Sequence, residues 1–371
     1  MRVLRLGKRR KSCPAMEHGA YMPWRYFKNI TATAAAVWDL NFHLKSCPEQ
    51  VTSLPFPTRT MPQWTPAGKH CYVTGGSQGL GLEVARQLVA QGAHVSIVAR
   101  DQAKLDAALK SLNESRVSEK QILQAFSFSL SDPVAADAAI VAASAAHDGR
   151  LPDAFLLCAG SARPGFFIEQ STQDLRDGFE NAFWCQAHTA HAAAKRLVKA
   201  RESRGKKIVM TGSILANFGL VGYSPYSPAK YALRGLADNL RSELLLYGID
   251  VQMYFPSTIY SPGYENENKT KPEIVLKIEE RDVGDTPEVC ARIMLKGVAA
   301  GNAHITGDFN GHVFRVATRG AVPWNNFFVD IVYGCIAFFG IPDWRRGVDK
   351  RIRGHAEEHE KYLQARGYYE D

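Results

Sequence analysis

The chain has 371 residues, enough for one large domain with appendages or for two small ones. A hydrophobic share of 46% with 22% charged residues describes a globular protein and excludes a disordered or collagen-like one. The formal charge of +8 is concentrated near the ends (Arg2, Arg5, Lys8, Arg9, Arg10, Lys11; then Arg345, Arg346, Lys350, Arg351, Arg353), which fits solvated tails or an anionic lipid surface; no nucleic-acid motif accompanies it.

The seven cysteines are odd in number, scattered, and form no Cys-x-x-Cys pair. That argues against a disulfide framework or a zinc site and for a reducing compartment, so no metal is expected.

Residues 1–67 carry no sustained periodicity. The basic opening and the apolar run 30–38 have a faint likeness to a targeting peptide, but the run is shorter than the roughly 20 residues a bilayer span needs. Pro55, Pro57, Pro62 and Pro66 then read as a linker. Residues 1–67 are expected to be a poorly ordered or targeting extension.

The texture changes at Lys69. A short apolar run, 70–74, leads into Gly75-Gly76-Ser77-Gln78-Gly79-Leu80-Gly81, and an amphipathic helix is expected over 82–91. Strand, glycine-rich turn and helix together make a phosphate cradle, because glycines admit a pyrophosphate close to the backbone and the helix N-terminus offers it unpaired N–H groups. The second strand, 93–99, ends at Arg100, with Lys104 one helical turn on. An acidic residue at this place would favour NAD; a guanidinium and a second cation favour the 2′-phosphate of NADPH.

Helices and strands then alternate: helix 105–112, strand 122–128, helix 133–146, strand 154–158 entering Ala159-Gly160, a long helix 172–200, strand 207–211, helix 226–247 and strand 249–255. Apolar strands separated by helices imply a doubly wound parallel sheet covered on both faces, with a ligand at the carboxyl ends of its strands. Ser213 falls at such an end. Tyr226 and Lys230, four residues apart, share one face of the following helix. A neighbouring ammonium would lower the pKa of the phenol and let it exchange a proton with a substrate oxygen, while Ser213 adds a second hydrogen bond.

Gly75, Ser77, Gln78, Gly79, Leu80 and Gly81, then Ala159-Gly160, Asn181, Ser213, Tyr226 and Lys230, resemble the signature set of the short-chain dehydrogenase/reductase family over about residues 69–260. The resemblance implies a Rossmann-like sheet of about seven strands in a domain spanning 68–318. It implies Tyr226 as proton donor, Ser213 polarising the carbonyl, Lys230 holding the nicotinamide ribose and lowering the tyrosine pKa, and Asn181 holding a relay water. Ile259, in Pro256-Ser257-Thr258-Ile259, would meet the nicotinamide carboxamide. Ser129 and Leu130 would lie beside the adenine, although the family usually has Asp where Ser129 stands, and Cys158 replaces its usual Asn.

The run 254–273 is similar to the corresponding run of 3-ketodihydrosphingosine reductases within that family. This implies NADPH-dependent reduction of a long-chain sphingoid ketone, on the cytosolic side of the endoplasmic reticulum, with the run as a lid. Read without the family, the run is only a polar, exposed loop. Another lipophilic ketone, a steroid or a 3-ketoacyl chain, is the alternative substrate, and a non-catalytic NADP(H)-binding scaffold the alternative class. A homo-oligomer is compatible with the sequence.

Residues 319–371 contain the most apolar stretch, 327–341, bracketed by Trp324 and Trp344 and followed by the basic cluster. Aromatic ends and a basic flank fit a membrane interface, whereas Asp330 and the short length disfavour a full span. The expectation is a membrane-associating segment, against the alternative of a helix packed on the reductase domain or a dimer partner.

Overall fold

The computed structural model describes residues 64–272 and 283–308, with Val275, Leu276, Glu279 and scattered positions beyond 310, including a helix Ala356–Ala365. Residues 1–63, from the expected extension, and the apolar stretch 327–341, apart from Phe338, lie outside the described residues. What is described belongs to the unit Pro62–Asp371.

Seven strands form one parallel sheet in the order β3-β2-β1-β4-β5-β6-β7: β1 His70–Thr74, β2 His94–Ala99, β3 Leu123–Ser127, β4 Ala154–Leu157, β5 Lys207–Thr211, β6 Asp250–Tyr254 and β7 His304–Ile305. The order reverses direction between β1 and β4, where Thr74 pairs with Leu157. The connections leaving the two strands there run to helices on opposite faces of the sheet and leave a crevice between them. β1, β4 and β5 are buried along their whole length, as their largely apolar sequences require.

Each face of the sheet is closed by helices. On one side lie α1 (Gly79–Ala90), α2 (Gln102–Glu114) and, far along the chain, Pro287–Ala299, whose Val84, Leu88, Leu105, Leu112, Met294 and Val298 share one core. On the other lie α3 (Pro133–Ala145), which packs on Cys185–Lys199, and Ser227–Glu243; their Ile140, Leu197 and Leu233 share a second core. Helix starts follow the sequence: Asp132 accepts from the N–H groups of Val134 (2.7 Å) and Ala135 (2.9 Å), and Pro133 occupies the first turn.

Three features depart from the sequence expectation. α1 begins at Gly79 rather than residue 82, so the glycine turn runs directly into the helix. The expected helix 172–200 is three pieces: α4 Thr172–Phe179, a π-helical turn Glu180–Trp184, and α5 Cys185–Lys199. The polar run after β6 is not a plain exposed loop. Ser261 caps a short helix, α7 (Pro262–Asn268, following α6, Ser227–Glu243), and Lys271 is buried with its side chain only 1% exposed. Ion pairing with two glutamates makes that burial tolerable. The sheet then finishes with α8 (Pro287–Ala299) and the two-residue β7.

At the N-terminal edge of the sheet, the His70 ring stacks on His147 at 3.7 Å, and His94 meets His147 edge-on at 5.4 Å. His70 Nε2 lies 2.8 Å from Ser96 Oγ, while its Nδ1 is buried without a partner. Burial first, then the neighbouring His147, pushes the His70 pKa down to about 3. The folded chain therefore keeps this ring neutral where the unfolded chain protonates it, below about pH 6.5. The stability is complete above that pH and is lost progressively as pH falls toward 3. We expect urea unfolding at pH 5 to show about 2 kcal/mol less stability from this group than at pH 7. His70→Gln should flatten the loss; an unchanged slope would exclude the assignment.

Candidate active site

The crevice is lined first by backbone. Gly75 has φ +66°, and a Cβ there would stand 2.9 Å from Ala159 Cα, so only glycine lets β1 and β4 close together at this level. A Cβ on Gly81 would fall 2.3 Å from the Gly75 carbonyl oxygen, so only glycine lets α1 start directly behind the turn. The N-cap Gln78 makes no side-chain cap, and the first turn of α1 carries no acidic residue. Its leading amides are left for an anion, which is what a dinucleotide pyrophosphate requires. Ser77, Gln78 and Gly79 occupy this turn and Leu80 begins the cavity wall, so the residues present fit a nicotinamide dinucleotide.

Arg100 follows β2 as an exposed residue, and no ion pair to it is found among the described residues. Lys104 is less available than its spacing implied. Its Nζ lies 3.9 Å from Asp101, whose carboxylate also accepts from the Lys104 N–H at 3.1 Å as the cap of α2. Ser129 is exposed, with its Oγ 3.2 Å from Ser131 Oγ, whereas the Leu130 side chain joins the core around Ile140. Any contact Leu130 makes at the crevice therefore comes from its main chain.

Of the expected proton-transfer residues, Ser213, Tyr226 and Lys230 line one cavity of about 250 Å³, together with Ala159, Gly160 and Ile259. Ser213 sits at the end of β5 in extended conformation, and its Oγ accepts from Leu215 N at 3.1 Å. Tyr226 precedes α6, and Lys230 lies one turn on. The Lys230 ammonium donates to the Thr211 carbonyl at 2.9 Å and stands 5.6 Å from the Tyr226 ring centre. Asn181 does not line the cavity. Its side chain donates to Asp177 O at 2.8 Å, and its carbonyl accepts from Ser161 N at 3.1 Å. That carbonyl and the Lys230 Nζ both face Gly160, at 3.3 and 3.6 Å from where a Cβ would stand.

The electrostatics differ from the expectation that Lys230 lowers the tyrosine pKa. Burial pushes the Tyr226 phenol well above its usual range, Glu267 adds to this, and a hydrogen bond with Ser213 acts the other way. Burial also lowers Lys230, to about 8. Desolvation disfavours the charged form of both groups. The phenol thus holds its proton, the form required of a donor to a carbonyl oxygen. Cys158, at the mouth of β4, is pushed up to about 12 by burial and is no nucleophile.

The sequence reading missed Gln186, fully buried in α5. Its Nε2 donates to Ala159 O (3.1 Å) and Thr211 O (2.9 Å), while its Oε1 accepts from Thr211 N (2.9 Å). One amide thus ties the ends of β4 and β5 beneath the site. In the cavity wall, Glu267 and Lys271 belong to the run 254–273 expected as a lid, but Tyr223 and Glu279 have no part in that expectation. No motif marks Gln186, Tyr223 or Glu279; only the fold brings them to the site.

Residues 69–272 match the family model of short chain dehydrogenases. The chain is 43% identical over 317 residues to a protein of Cryptococcus neoformans var. neoformans named 3-ketodihydrosphingosine reductase, covering 85% of this chain and 94% of that one. It is 30% identical over 256 residues to a Danio rerio protein named 3-dehydrosphinganine reductase, covering 69% and 76%. Among solved structures, a Sphingobium yanoikuyae short-chain dehydrogenase in complex with NADPH matches with a TM-score of 0.54 at 21% identity, covering 64% of this chain and 87% of that one.

Replacing Gln186 by Leu leaves the Thr211 N–H buried without a partner, at a cost of about 1–3 kcal/mol for each orphaned group. Q186L should therefore lower the urea midpoint by a corresponding amount; a variant as stable as the parent would show that the amide does not tie the two strands.

Proposed function

The chain belongs to the short chain dehydrogenase family, and from that premise we propose that it reduces the ketone of 3-ketosphinganine to the alcohol of sphinganine, with NADPH, in sphingolipid synthesis. The observation that carries this is the 43% identity, across 94% of its length, to a protein named for that reaction. The buried phenol and hydroxyl at one cavity supply the means.

A nicotinamide dinucleotide bound at the glycine turn supplies the hydride. The chain's own residues handle the oxygen. Ser213 donates a hydrogen bond to it, and Tyr226 gives it the proton that completes the alcohol. Lys230, held by the Thr211 carbonyl and lowered to about 8, exchanges protons near neutral pH and serves to restore the phenol. By family resemblance it also holds the nicotinamide ribose, with Asn181 placing a relay water and Ile259 meeting the carboxamide. The choice of NADPH rests on Arg100, an exposed guanidinium at the strand end, while Asp101 is occupied as the cap of α2.

The substrate's long alkyl chain partitions into lipid at about 0.8 kcal/mol per methylene, so the enzyme gains from working at a bilayer. We assign that role to residues 319–371, with the catalytic unit on the cytosolic face of the endoplasmic reticulum. The support is the apolar stretch 327–341 between Trp324 and Trp344 and its basic flank. Among the described residues no helix is long and apolar enough to cross a membrane.

Purified protein should oxidise NADPH with 3-ketosphinganine, at least tenfold faster than NADH at equal low concentration, and Arg100→Ala should narrow that margin. Turnover of a steroid or 3-ketoacyl ketone but not of 3-ketosphinganine would overturn the substrate. Tyr226→Phe should cut kcat at least about 100-fold, the usual contribution of a positioned acid, with NADPH binding retained; unimpaired turnover would reject its role. In cell fractionation, the full chain should pellet with membranes and lose this on removal of residues 321–371. A full-length protein that stays soluble would refute the anchoring.

A further inference from the structure

One stretch of the cavity wall has no part in the proton transfer. Tyr223, 3% exposed, directs its hydroxyl at Glu267 and at Glu279, 3.1 Å from the latter's Oε1. The Lys271 ammonium lies 3.3 Å from Glu267 Oε1 and 2.6 Å from Glu279 Oε2, and 4.3 Å from the centre of the Tyr264 ring. All of these side chains line the cavity that holds Tyr226 and Ser213. Glu267 and Glu279 are only 20% and 12% exposed. Two carboxylates face one ammonium, so among the described residues the group keeps one formal negative charge, walled off from most solvent.

That charge is felt where the chemistry occurs. Tyr223 and Tyr226 have ring centres 6.0 Å apart, and Glu267 is second only to burial in raising the Tyr226 phenol. An incompletely neutralised carboxylate pair in a poorly hydrated pocket is costly until a cation meets it. Such a wall favours a ketone with a positive charge close to the carbonyl and disfavours a neutral steroid or an anionic acyl carrier.

We infer that Glu267, backed by Glu279, is the specificity-determining group that receives an ammonium on the carbon next to the substrate ketone. This rests on the reductase reading above, in which the substrate carries its amine at that carbon. Tyr223 fixes the Glu267 carboxylate, and Lys271 keeps the two carboxylates together without cancelling them.

The test compares kcat/KM, with NADPH, for 3-ketosphinganine and for the same chain without the amine, 1-hydroxyoctadecan-3-one, in one detergent. The unmodified protein should prefer the amino ketone at least tenfold. Glu267→Gln should reduce that ratio below threefold, Glu279→Gln should reduce it partway, and Glu267→Asp should retain most of it. An unmodified protein with a ratio below threefold overturns the inference, and so does a Gln substitution that lowers both ketones alike, which marks a merely structural role. Should Glu267→Gln fail to fold, the ratio for the unmodified protein and for Glu279→Gln decides. Reduction of neither ketone sinks the reductase reading itself, and this inference with it.

Discussion

A buried ammonium held by a strand-end carbonyl, one helical turn from a buried phenol, is the constraint on which this site depends. Lys230 reaches the Thr211 oxygen only because β5 ends at the foot of α6. β5 in turn ends there because it lies inside a parallel sheet whose neighbours end at the same level. Burial acts on both groups in the same sense, raising the phenol and lowering the amine. In the reaction proposed above this gives a proton donor that is neutral before substrate arrives, backed by an ammonium that burial lowers to about 8 and that can return the proton. Spacing alone gives proximity; desolvation decides which protonation state the pair adopts.

Much of this was legible in the residues. Buried parallel strands have apolar runs with few interruptions, and 70–74, 154–157 and 207–211 stand out for that reason. The glycine turn stood out because only glycine tolerates the approaches at Gly75 and Gly81. Other features left no comparable trace. A two-residue β7 has no period to detect. No proline interrupts 172–200, so nothing local marks the π turn. Gln186 is one polar residue on an alanine-rich helix, and its worth lies in backbone groups 25 and 27 residues away. The residues around Lys271 look like solvent-facing polar chain until Tyr223, 44 and 56 residues upstream of the two glutamates in its reach, is brought among them.

The cavity separates two tasks between two parts of the chain. In the reaction proposed above, Ser213, Tyr226 and Lys230, set by the sheet and α6, act on the carbonyl oxygen. Glu267, Lys271 and Glu279, set by the segment after β6, govern the electrostatic character of what sits beside it. Tyr223 joins them, since it faces Tyr226 with its ring and the carboxylates with its hydroxyl. The oxygen chemistry can therefore stay fixed while the later segment changes the molecules admitted, a division that fits loops carried by a rigid scaffold.

The π turn at Glu180–Trp184 has a consequence of its own. One additional residue in a helix advances the rotational phase of everything after it by about 100°. α4 and α5 follow one another through the turn without a gap, yet their inward faces need not align. Asn181 can aim its carbonyl at Gly160, while Gln186, five residues later, reaches under the strand ends. An uninterrupted α-helix would place those two groups in a fixed angular relation set by helix geometry. The bulge removes that obligation, and works as a gear between the lip of the crevice and the floor beneath it.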